Sequence, residues 1–344
     1  MNRIENLDDV QALEIKPERQ FFSAEHQEIL SGATTDIYFV KTMQILRHLG
    51  LEKSPVTAEI FARKAGVFAG LPEALQLLQA AGLAVWSVPE GSTFEAKETL
   101  MRVSGPYEKF GLYETPLLGI LASSCGWATA ARAISRAAAG SPVTVFGARH
   151  VHPAIAPVME RSALIGGVDA ASCILGAKLA GVEPVGTAPH ALFLIAGDTV
   201  KAALAYDACM PESSSRLILV DTFKDEAEES LRVAEALGDN LLGVRLDTPS
   251  ERGGVGVELV REIRARLDKA GFGAVKIFVS GGLTPERLVQ LKEAGAVAFG
   301  VGSYISGASA IDMTMDIKEL NGKEIAKRGR IPGIVENPRL VRLR

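Results

Sequence analysis

The chain has 344 residues, 47% of them hydrophobic and 23% charged, and its 37 Lys and Arg against 41 Asp and Glu leave a net charge of -4. This is ordinary globular material, long enough for one large domain or two of moderate size, and its near-balanced charge argues against a nucleic-acid binder that neutralises phosphates along a basic face. Cys125, Cys173 and Cys209 are isolated, with no CxxC spacing, so neither a zinc knuckle nor a disulfide framework is supported and a reducing cytoplasm is expected.

From Met1 to Gln20 the sequence is dotted with charges and lacks an apolar h-region. No stretch approaches the ~20 uncharged apolar residues of a membrane helix, so a soluble, untargeted protein is expected. The first hundred residues read as an α+β unit. Val56 to Ala62 and Thr93 to Val103 are strand-like, Pro72 to Ala80 is helical with proline near its start, and Pro89-Glu90-Gly91 marks a turn.

From Val143 onward strand-like and helix-like patterns alternate, which predicts a parallel sheet. The strands are Val143–Phe146, Pro184–Gly186, Leu217–Val220, Leu242–Leu246, Ile277–Val279 and Val297–Phe299. Val255, Leu259, Ile263 and Leu267 recur at helical spacing between two of them. Six strands are fewer than the eight of a full (β/α) barrel, so either two are short, one of them near Gly167-Val168, or the barrel is irregular. Met313 to Lys318 alternates like a strand and precedes an Asn321-Gly322 turn, a pattern that returns the chain end to the first unit as a hairpin.

Two strand-to-glycine loops, Ser280-Gly281-Gly282 and Gly300-Val301-Gly302-Ser303, read either as tight βα turns or as a phosphate cradle, because glycine lets backbone N–H groups approach an anion. Asp221, Asp247 and His190 fall at or just after strand ends, where a barrel opens to substrate. Each Asp serves there either as a helix N-cap or as a functional carboxylate. His190 is either a hydrogen-bonded core residue or a base or nucleophile toward a phosphoryl group. Phe146 beside Arg149 would suit a flat anionic ring through stacking and a charge-assisted bond.

Taken in order, Thr35-Asp36-Ile37-Tyr38, Tyr113 to Leu118, Phe146 to Arg149, Gly166 to Asp169, Gly186 to His190, Arg245 to Thr248, Ser280 to Gly282 and Phe299 to Ser303 resemble the motifs of nicotinate phosphoribosyltransferases, and the likeness spans nearly the whole chain. Those enzymes are type II phosphoribosyltransferases. The resemblance implies an α/β fold: an irregular (β/α) barrel over residues 116–309, with an α/β sandwich domain formed from both chain ends, 1–115 and 310–344. The implied activity forms nicotinate mononucleotide and pyrophosphate from nicotinate and 5-phosphoribosyl 1-pyrophosphate, with coupled ATP hydrolysis, in NAD biosynthesis. The alternatives are a nicotinamide or quinolinate enzyme of the same fold, or a non-catalytic phosphosugar-binding protein.

By the same resemblance Phe146 and, from a neighbouring subunit of a homodimer or higher homo-oligomer, Tyr38 would sandwich the pyridine ring. Arg149, Asp169, Thr187 and Arg245 would line the pocket around the ring and phosphoribosyl groups. Asp221 and Asp247 would contact the ribose or its bound Mg2+, while Ser280, Gly281, Gly282, Gly300, Gly302 and Ser303 would take the 5-phosphate. His190 would be the histidine phosphorylated by ATP. One departure is His150-Val151-His152-Pro153, where many relatives carry a second basic residue next to the Arg. The basic cluster Lys323, Lys327, Arg328 and Arg330 is either a solvated tail or an anion contact across a subunit interface.

Overall fold

The computed structural model describes residues 3–344; the expectations that begin at Met1 include Met1 and Asn2, which lie outside the described residues. The chain divides into two units, residues 1–129 with 309–344 and residues 130–308, where the sequence reading set its boundaries at 115/116 and 309/310.

The first unit is built on an antiparallel six-stranded sheet in the order Lys323–Glu324, Met313–Leu320, Pro55–Ala62, Thr99–Pro106, Ala84–Ser87, Val341–Arg342. Along Pro55–Ala62, Val56, Ala58, Ile60 and Ala62 point into the core at period two. Glu59, on the opposite face, is also buried, and accepts two bonds from Arg102 at 2.9 and 2.7 Å and one from the Val335 N–H at 3.2 Å. A buried carboxylate persists only when it is paired in this way. The returning segment pairs Ile60 with Met315 and Ala62 with Met313. Its turn has positive φ at both Asn321 and Gly322, the backbone an Asn-Gly hairpin requires.

The run read as one strand from Thr93 to Val103 is two, Thr93–Phe94 and Thr99–Pro106, because residues 95–98 form a turn with Lys97 at positive φ. Proline-initiated helix Leu71–Leu77 lies where Pro72 to Ala80 predicted one. The helix Glu114–Ala138 places Leu117, Leu121 and Cys125 in the core at four-residue spacing. Among the described residues Gly111–Ala138 is the one helical stretch that by length and composition could cross a membrane, which corrects the expectation that no such stretch exists. Its first half packs that apolar stripe into the core of this unit, and the helix runs on past the boundary at Thr129.

The second unit contains a six-stranded parallel sheet: β1 (Val143–Val145), β2 (Ala170–Ala171), β3 (Leu217–Leu219), β4 (Gly243–Leu246), β5 (Lys276–Ser280) and β6 (Ala298–Val301), in the order β2-β1-β6-β5-β4-β3. Short apolar runs such as Leu-Ile-Leu and Val-Thr-Val fit strands covered on both faces. The expected strand Pro184–Gly186 is not one. Proline removes a ladder donor, and the segment makes a single sheet-like bond, Val185 N–H to Ala171 O at 2.9 Å, so the barrel stays irregular between β2 and β3. Helix Val257–Lys269 buries Val260, Ile263 and Leu267; Val255 is buried just before it. Thr284 caps Pro285–Glu293, and Asp225 caps Glu226–Leu237.

Burial, and then the nearby Asp316, push the Glu114 carboxyl from 4.5 up to about 7. A raised carboxyl pKa means that stability is fully present in acid and falls as pH rises from 4.5 toward 7. Glu114→Gln should therefore be more stable than wild type at pH 8 by about 1–3 kcal/mol after allowing for partial exposure, with the advantage gone at pH 4. Urea midpoints at the two pH values test this, and a difference independent of pH would contradict it.

Candidate active site

Parallel strands aim their C-terminal ends at one face, and there the second unit opens a cavity of about 360 Å³. Arg245 and Asp247 are two residues apart at the end of β4, which puts both side chains on the same side. The Arg245 guanidinium donates from Nε to Ser280 Oγ at 2.9 Å, from Nη1 to Thr187 Oγ1 at 2.7 Å and from Nη2 to Asp247 Oδ2 at 3.2 Å. It also sits 5.1 Å from the centroid of the Phe146 ring. Ser280 passes the chain on by donating to Asp247 Oδ1 at 2.8 Å. One arginine thus joins the ends of β4 and β5, the loop before His190 and the aromatic at the end of β1.

The glycines here answer two different needs. Gly281 and Gly282 have φ of +90 and +59, a backbone that side chains rarely adopt. At Gly300 a Cβ would stand 2.5 Å from the Phe146 ring, and at Gly302 one would stand 2.8 Å from the His150 ring. The second glycine loop is therefore glycine-rich partly so that two ring systems can lie against β6.

His190 opens the helix His190–Ala196, and its Nε2 lies 3.0 Å from Asp221 Oδ2. The Asp221 side chain is fully buried, and its Oδ1 has no hydrogen bond to another side chain or ligand. Burial pushes its pKa up, His190 holds it down and the charge of Asp247 adds a smaller upward push. Asp221 is not a helix N-cap, since Asp225 fills that place. The carboxylates that could hold a magnesium ion are Asp221, whose Oδ1 is buried and unshared, and Asp247, whose oxygens already accept from Ser280 and Arg245. No cluster of three or more His, Cys, Asp or Glu with metal-holding geometry occurs among the described residues.

Of the residues predicted from sequence, Phe146, Arg149, Thr187, His190, Arg245, Asp247, Ser280, Gly281, Gly282, Gly300, Gly302 and Ser303 line this one cavity, and Asp221 stands behind His190. Asp169 does not line it. It precedes β2, at the opposite end of the strands, where its N–H donates to Val143 O at 2.9 Å and its Oδ2 accepts from Val143 N–H at 2.8 Å. Tyr38 stands in the first unit, exposed on helix Ile37–Leu49 with its ring against Phe39. The lining also includes His150 and Ser172, which the sequence reading did not place. His150 shares a turn with Arg149; for Ser172 the signal was its position just past β2.

The family models for the N-terminal and C-terminal domains of quinolinate phosphoribosyl transferase match residues 36–125 and 127–316, and the chain belongs to that family. It is 31% identical over 248 residues to nicotinate phosphoribosyltransferase pncB2 of Mycobacterium tuberculosis, an alignment covering 69% of this chain and 52% of that protein. Nicotinate phosphoribosyltransferase of Bacillus subtilis is 28% identical over 311 residues, covering 79% of this chain and 62% of that one. The chain thus spans about half the length of the first of these curated relatives. Among solved structures, nicotinate-nucleotide pyrophosphorylase from Pyrococcus furiosus superposes with a TM-score of 0.88 at 43% identity, covering 92% of this chain and 82% of that one. Human nicotinic acid phosphoribosyltransferase, at 19% identity and a TM-score of 0.71 over 87% of this chain and 77% of that one, shares the fold.

Gly300→Ala should cost about 1–3 kcal/mol by driving a methyl group into the Phe146 ring, as overpacking does. A urea midpoint equal to wild type would show that the ring has room to move.

Proposed function

We propose that the protein is a nicotinate phosphoribosyltransferase, forming nicotinate mononucleotide and pyrophosphate from nicotinate and 5-phosphoribosyl 1-pyrophosphate with coupled ATP hydrolysis, in NAD biosynthesis. The observation that carries this reading is the convergence of Phe146, Arg149, Arg245 and both glycine loops on one cavity. An aromatic face beside arginine fits a flat acid, and glycine backbone beside arginine fits phosphate.

In this reading the pyridine nitrogen bonds to C1 of the ribose as the bond from C1 to pyrophosphate breaks, and the electron pair leaves with the pyrophosphate. Asp247 and Asp221 offset the positive charge that develops at C1, while Arg149 and Arg245 hold the anionic groups in line. Magnesium, held by Asp221 and Asp247 with the substrate, would neutralise charge on the leaving group. His190 would take the γ-phosphoryl group of ATP on a ring nitrogen, releasing ADP, and return it to water as phosphate. With Nε2 engaged by buried Asp221, Nδ1 is the nitrogen left for that group. A charged phosphohistidine at the cavity rim would then order the loops around it.

The second reading is quinolinate as substrate, which the family models and the name of the Pyrococcus structure both favour. Against it, the lining of the cavity contains Arg149 and Arg245 as its fixed cations and no lysine among the described residues. Arg245 is already engaged by three side chains, which leaves little for a second carboxylate. The proposal extends to a cytoplasmic homodimer or higher homo-oligomer in which exposed Tyr38 covers the ring in a neighbour's site.

His190→Ala should abolish stimulation by ATP yet leave residual transfer, and Asp247→Ala should remove transfer, by steady-state assay of nicotinate mononucleotide. Full ATP coupling in His190→Ala would sink the phosphohistidine role.

A further inference from the structure

His150 follows Arg149 in the cavity lining, and its bonds have a direction that can be worked out. Arginine only donates, so the bond from Arg149 Nε to His150 Nε2, 3.3 Å long, needs the lone pair on that nitrogen. The neutral ring then carries its proton on Nδ1, which donates to Ser306 Oγ at 2.9 Å. The Ser306 hydroxyl in turn donates to Gly302 O at 3.2 Å. Each group is donor to the next: Arg149, His150, Ser306, Gly302. Partial burial, and then the charge of Arg149, hold the imidazole pKa below its ordinary value. The absent Cβ of Gly302 is the space that the His150 ring occupies.

We propose that His150 is a positioning residue that ties Arg149 to the glycine loop after β6, and that this tie sets the affinity of the cavity for phosphate-bearing anions, for which pyrophosphate is the probe. The inference rests on the phosphoribosyl-transfer reading above. A fixed second cation at this position would attract the anion directly. A neutral histidine instead holds one arginine and one loop in register, so the anion meets a preformed site and less ordering is lost on binding. Ser306 is buried and does not line the cavity, so it can act on a bound anion only through this chain.

The test is calorimetric titration of the full protein with magnesium pyrophosphate, for wild type, Ser306→Ala, His150→Ala and the double variant. Ser306→Ala should weaken binding about fivefold, the worth of one hydrogen bond. The double variant should be no weaker than His150→Ala alone, because links in series are not additive. In steady state the Ser306→Ala defect should fall on KM for 5-phosphoribosyl 1-pyrophosphate, with kcat held within about twofold. Wild-type affinity in Ser306→Ala, or defects that multiply in the double variant, would overturn the inference while the reaction stands. No binding of magnesium pyrophosphate by wild type would remove the phosphoribosyl-transfer reading, and the inference with it.

Discussion

The candidate site depends on one buried guanidinium. Arg245 projects from the end of β4 into the cavity with its side chain largely buried, and burial there works against its charge. Ser280, Thr187, Asp247 and the Phe146 ring supply what the lost water would have. Bonds to a charged group contribute about 1.5–3 kcal/mol each, and leaving that charge unpaired costs more. The same contacts therefore stabilise the rim and fix its geometry. They draw together four chain segments whose order in the sequence says nothing of their adjacency.

Much of this arrangement was legible before the structure. Short apolar runs alternating with helical stripes announced the parallel sheet, and the Asn321-Gly322 dipeptide announced the hairpin that closes the chain onto its first unit. Strand-end positions put Asp247, His190 and the glycine loops at a barrel mouth, because period and direction suffice for that. Asp169 failed for a physical reason. Its motif abuts β2, but on the N-terminal side, and composition does not say on which side of a two-residue strand a carboxylate falls.

Other features needed three dimensions. Glycine at 300 and 302 reads in sequence as backbone freedom, whereas the neighbouring rings of Phe146 and His150 require the missing Cβ. Pro184 to Gly186 has a strand's composition but a proline's missing donor, and it ends as an irregular segment with one sheet bond. The pairing of His190 with Asp221 brings together residues from a helix start and a strand end, and only the fold makes them neighbours.

The most direct test is pyrophosphate release by the purified protein with 5-phosphoribosyl 1-pyrophosphate, magnesium and nicotinate, nicotinamide or quinolinate, each with and without ATP. The account predicts release with nicotinate that rises when ATP is added. Release with quinolinate alone, indifferent to ATP, would contradict it.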